Sequence, residues 1–138
     1  MSRLAAAALF VCALAACAPH ARSVPRNVAF GGAPVLAAPP VERSDAPPRI
    51  VSMWFSSDDA RRGERWSGTI IASTNVASVE VRTNLFSIDV PRRGYGDFRF
   101  TLHVFDVPPI FIRPYNLRVI ARNSAGESVE EDLPFRIR

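Results

Sequence analysis

The chain has 138 residues, with 17 basic and 13 acidic side chains, a formal net charge of +4, 48% apolar residues and two cysteines. That length suits one domain with one core. Every basic side chain is Arg, and residues 49–138 hold thirteen Arg against eleven Asp and Glu, a mixed surface that excludes the one-sided basic footprint of a phosphate-binding protein.

The chain opens MSRLAAAALFVCALAACAPH. One cation (Arg3), an apolar run from Leu4 to Ala16 and then small residues are the layout of a secretory signal. The run is too short for a bilayer, which needs about 20 apolar residues. Cys12 sits mid-run and reads as one more small hydrophobe. Cys17 follows Leu14-Ala15-Ala16, and Leu-Ala-Ala-Cys resembles the lipobox of bacterial lipoproteins. The resemblance implies a signal peptide over 1–16, cleavage before Cys17, and diacylglycerol on its thiol with acyl chains such as palmitate. A single acyl chain binds membranes reversibly, whereas two or more anchor stably. Ala18 in place of Asp after the cysteine favours the outer membrane where one exists, with the outer face of the cytoplasmic membrane as the alternative. An ordinary signal cut near Ala16 is the rival reading. Either way the mature chain lacks a disulfide, and burial alone must hold the fold.

Residues 17–48 are rich in Pro, Ala and Gly, with no sustained period, and are expected to form a disordered tether. From Arg49 the period becomes two. Ile50, Ser52 and Trp54 alternate with Val51, Met53 and Phe55, and Ser56–Glu64 reads as a polar loop. Arg65–Ser73 is β-rich, Ser78–Thr83 alternates, and Phe86, Ile88 and Val90 continue until Pro91-Arg92-Arg93-Gly94. Phe98, Phe100, Leu102 and Val104 share one face, with Arg99, Thr101 and His103 on the other. Tyr115, Leu117, Val119 and Ala121 alternate with Asn116, Arg118 and Arg122, and Leu133, Phe135 and Ile137 close the chain. Seven alternating strands with turns at this spacing predict an all-β, seven-stranded antiparallel sandwich over 49–138.

The stretch YNLRVIARNSAGES, Tyr115–Ser128, resembles the F–G hairpin of fibronectin type III and related immunoglobulin-like domains. The resemblance implies an immunoglobulin-like sandwich and a corner tyrosine at Tyr115 whose hydroxyl bonds back to the chain. RRGERWSGTIIASTNVASVEVR is similar to the bacterial immunoglobulin-like domains. The fibronectin tryptophan pattern and the antibody cysteine pair are missing, and no binding residue carries over, since this architecture serves many functions.

No constellation for catalysis stands out. His103 lies on an apparent solvent face without Cys, Asp or Glu at ligand spacing, and there is no Gly-rich phosphate loop, G-x-S-x-G or H-E-x-x-H motif. Asp58-Asp59 with Glu64 lacks the alternating calcium-ligand order, and Arg61 and Arg62 neutralise the pair. No metal, cofactor or enzymatic activity is therefore expected. Arg92 and Arg93 with Tyr95 form a candidate grip for a carboxylate, phosphate or sugar. The strongest candidate is Pro108–Pro114, where Ile110, Phe111 and Ile112 precede Arg113 within a connection. Three large apolar residues there make either a plug over the open end or a partner surface. The sequence thus leads to the expectation of a lipid-anchored, non-catalytic protein of the bacterial cell envelope that binds or scaffolds another envelope protein. A carbohydrate- or peptidoglycan-binding module is the alternative, and nucleic acid is excluded as a partner.

Overall fold

The computed structural model describes residues 25–138, so the signal peptide and Cys17 lie outside the described residues. Ten strands appear in that span: β1 (Val28–Phe30), β2 (Ile50–Phe55), β3 (Asp59–Ala60), β4 (Arg65–Ala72), β5 (Val76–Arg82), β6 (Ser87–Val90), β7 (Arg92–Gly94), β8 (Asp97–His103), β9 (Pro114–Asn123) and β10 (Ser128–Ile137). They form two five-stranded sheets, ordered β1-β2-β4-β8-β7 and β3-β10-β9-β5-β6.

The seven predicted strands are β2, β4, β5, β6, β8, β9 and β10. The purely antiparallel, seven-stranded expectation is corrected by β1, β3 and β7. Each has two or three residues, too few for a two-residue period to declare itself. Both β1 on β2 and β3 on β10 pair in parallel.

The expected disordered tether is also corrected where it is described. Val28–Phe30 pairs with Met53–Phe55. Further on, the Thr74 amide donates to Pro40 O, and the Glu42 amide donates to Thr74 Oγ1. These are mostly backbone bonds, and a backbone bond leaves no side-chain signature.

The core lies between the sheets. The Trp66 ring stacks on Phe55 at 5.4 Å and meets Phe100 at 5.1 Å, while Phe135 reaches it from the opposite sheet at 4.8 Å. Each such side chain contributes about 2 kcal/mol by leaving water. Gly68 makes room for the cluster, since a Cβ there would sit 2.5 Å from the Phe100 ring and 2.9 Å from that of Phe55. In β2 the register shifts between Ile50 and Ser52, and the bulge turns Ile50, Met53 and Phe55 inward together.

Residues 39–49 run along one end of the sandwich, the near end, which also carries residues 73–75, 94–96 and 124–127. The opposite, far end carries residues 56–64, 83–86, 104–113 and the C-terminus. There Arg138 N donates to Ala60 O, Arg62 N to Arg138 O, and Ile137 N to Arg113 O.

Candidate functional site

The far end is built by β8 and β9 and the segment joining them. After His103, the Val104 amide donates to Glu64 O and its carbonyl accepts from the Gly63 amide, so the segment starts firmly held. Phe105 then points to solvent, 77% exposed. Asp106 pairs with Arg62 at 3.1 Å, and Val107 packs partly against the core. Pro109–Phe111 makes one 3₁₀ turn. The Tyr115 hydroxyl donates to Phe111 O at 2.8 Å, the bond expected of a corner tyrosine, and pins that turn to the start of β9.

Beneath the segment lies an apolar cavity of about 350 Å³, lined by Trp66, Phe86, Leu102, Phe111 and Phe135 among others. The two readings of Pro108–Pro114 therefore divide residue by residue. Phe111 is half-buried and faces the cavity. Ile110 and Ile112 are 75% and 38% exposed. Arg113 leaves the apolar row and lays its guanidinium over the Tyr115 ring, 5.3 Å from its centre.

Sequence reasoning missed Phe105 and Leu85, both exposed. Phe105 had a signal: it continues the outward parity of Arg99, Thr101 and His103. Leu85 sits in the turn between β5 and β6, where no period operates.

Arg92, Arg93 and Tyr95 lie toward the near end and do not converge. Arg92 stacks over Tyr95 at 4.6 Å and its Nε donates to Gly94 O at 3.2 Å. Arg93, the next strand residue, lines a separate cleft with Ile88 and Arg99. The turn that presents Tyr95 ends at Gly96, where φ is +72° and a Cβ would sit 2.3 Å from Ala72 O. Only glycine suits that place.

Asp59 is buried and held by Arg138 Nε at 3.0 Å and Arg61 Nε at 3.7 Å. Arg62 pairs elsewhere, with Asp106. His103 is exposed and meets Phe105 edge-on at 6.3 Å. Among the described residues no group of three or more His, Cys, Asp or Glu is placed to hold a metal ion. None of their helices is long and apolar enough to cross a membrane. A wide open hollow of about 760 Å³ near Arg82, Asn116 and Arg118 has its cations engaged. Arg118 is bidentate on Asp132 at 2.7 and 3.0 Å, and Arg82 faces Glu80 at 3.7 Å.

No protein family matches the chain, and no curated protein does. Among solved structures it is similar to a Niemann-Pick type C2 protein from the Japanese carpenter ant, with 13% identity and a TM-score of 0.47 over 67% of this chain and 94% of that one. It is similar to the fibronectin(III)-like modules of Clostridium thermocellum CbhA, with 18% identity and a TM-score of 0.42 over 62% and 93%. It is also similar to a superoxide reductase from Ignicoccus hospitalis, with 10% identity and a TM-score of 0.43 over 67% and 80%. These likenesses bring no ligand, cofactor or activity to this chain.

Proposed function

We propose that the chain is a non-catalytic lipoprotein of the bacterial cell envelope, anchored through acylated Cys17. Its immunoglobulin-like domain would bind or scaffold another envelope protein through the far end. The observation that carries this reading is the exposed apolar group of Phe105, Ile110 and Ile112 on the segment that closes the far end. A contiguous exposed apolar patch marks an interaction surface.

The immunoglobulin-like part rests on strand order. Taken as A, B, E and D, strands β2-β4-β8-β7 follow one sheet of such domains, and β10-β9-β5 follow the G, F and C of the other. The Tyr115–Phe111 bond supports it too.

The test is co-purification of the native, membrane-extracted protein with its neighbours. Ile110→Ser combined with Phe105→Ser is expected to abolish a co-purifying protein while leaving stability within about 0.5 kcal/mol. Cys17→Ser is expected to release the protein from membranes. Retention of the same neighbour by the double variant would refute the far-end reading, and sedimentation of the Cys17 variant with membranes would refute the anchor. The second reading, a carbohydrate- or peptidoglycan-binding module, is favoured by Tyr95, 76% exposed with Arg92 stacked on it. It requires retention on cell-wall material that Tyr95→Ala reduces.

A further inference from the structure

The hollow beneath the far-end segment is a site of its own. It holds about 350 Å³ and is walled by both sheets, with Trp66 of β4 and Leu102 of β8 on one side and Ile88 of β6 and Phe135 of β10 on the other. Ile110 and Ile112, which carry the partner reading, do not line it. Trp66 and Phe135 are buried at its floor, Phe86 and Leu102 are half-buried along its walls, and Leu85 and Phe105 are exposed at its mouth.

Its size and lining say what it takes. A dry cavity of about 150 Å³ already admits benzene, and ordinary ligand sites start at about 300 Å³. The Trp66 indole N–H is spent on Ser57 O at 3.1 Å. The other polar side chains in the lining are His103 and Asp106. Both are exposed, and Asp106 is held by Arg62 at 3.1 Å. No side chain inside is therefore left to bond a guest. A peptide strand would bury N–H and C=O groups there without partners, and a charged group would cost more still. A hydrocarbon chain carries no such groups and gains by leaving water. With a methylene taken as the size of a water, roughly 30 Å³, the cavity of about 350 Å³ holds about twelve carbons.

We propose that this cavity binds the tail of a free single-chain amphiphile, a medium-chain fatty acid or alcohol, inserted tail first with its head left in water at the mouth. The inference goes beyond the protein-partner reading and does not depend on it. The first strand, β1, lies three strands from β8 in its sheet, which favours a free amphiphile over the chain's own Cys17 acyl group as the source.

The experiment is calorimetric titration of the full chain carrying Cys17→Ser with alkanoates of increasing length, below their micelle concentrations. Affinity is expected to rise about fourfold per added methylene and to level off near about twelve carbons, where the volume is used. Alcohols of equal length are expected to bind within about threefold of the acids, because the head makes no bond. No binding, a rise that continues well past that length, or binding of the acids alone overturns the proposal. Ile88→Trp fills the cavity wall and is expected to weaken dodecanoate about tenfold; unchanged binding overturns the site. Should that variant fail to fold, quenching of Trp66 decides. Trp54, the other of the two tryptophans, does not line the cavity, so Trp54→Phe leaves Trp66 alone to report. 11-Bromoundecanoate, brominated at its tail end, is expected to quench it strongly and 2-bromoundecanoate weakly. Equal quenching by the two isomers, or none, overturns the proposal. Quenching that is present with Cys17→Ser but lost from the acylated chain overturns the free source, since the chain's own acyl group then fills the site. Dodecanoate bound with no neighbour co-purified leaves this site standing and the far-end reading fallen.

Discussion

The two ends of the sandwich are closed by different chemistry. At the near end a polar hub fastens three segments. Asn123 Nδ2 donates to Ala46 O at 3.1 Å and its Oδ1 accepts from the Ala125 and Glu127 amides. The Arg49 amide donates to Ser73 Oγ, which in turn donates to Asn75 Oδ1 at 2.6 Å. At the far end the segment over the core has few such bonds, and large apolar side chains face either the cavity or solvent. Buried polar groups that find partners fix a unique arrangement, whereas apolar contact is non-directional. The near end therefore holds its own chain through directional polar bonds, whereas the far end leaves Phe105, Ile110 and Ile112 exposed.

Four measurements would break or sharpen that contrast. Trp66→Ala probes whether the open far end means a loose core beneath it. A loss of about 3–5 kcal/mol in denaturant unfolding is expected, as for truncation of other buried aromatics, and a loss under about 1 kcal/mol would mean that the cluster can collapse. Asn123→Ala tests the near-end hub. It leaves the Ala125 and Glu127 amides without their acceptor and is expected to lose about 1–3 kcal/mol, with faster proteolysis within residues 40–48. Tyr115→Phe removes the single side-chain bond that pins the 3₁₀ turn, and about 1 kcal/mol is expected in the same assay.

The smallest effect is a pH dependence away from both ends. Glu80, on the outer face of β5, accepts from Ser87 Oγ, and Arg122 also bonds it; these hold its carboxyl below the ordinary 4.5. A carboxyl lowered in the folded state stabilises fully above its unfolded titration and loses that contribution as pH falls through the folded value. Wild type is therefore expected to be more stable than Glu80→Gln at neutral pH, with the difference shrinking on acidification below the ordinary carboxyl range. A difference independent of pH would mean that the contact is not ionic.

The long strands were legible because burial on one face imposes a two-residue period. Phe98, Phe100 and Leu102 do share the inward face of β8. In β2 the alternation was visible, but the bulge after Ile50 hid which residues were inside. Glu131 sits at an inward position, opposite Val119, an acid where the pattern calls for an apolar residue. Its partner is the Asn27 side chain at 2.9 Å, in a stretch that composition alone assigned to the tether. At the far end, the apolar row Ile110–Ile112 announced itself, but its division into one inward and two outward residues depends on the turn that Tyr115 fixes. The hollow beneath could not be read at all, because it is bounded by residues of both sheets.

The parallel pairing of β1 with β2 has a mechanical consequence. The chain runs along β1 from Val28, beside Met53, to Phe30, beside Phe55, and only later starts β2 at Ile50. Tension between the entering chain and a load on the far end pulls these two strands in opposite senses along their shared axis. The bonds of that ribbon then bear the force together, as in a lap joint, rather than peeling open one after another.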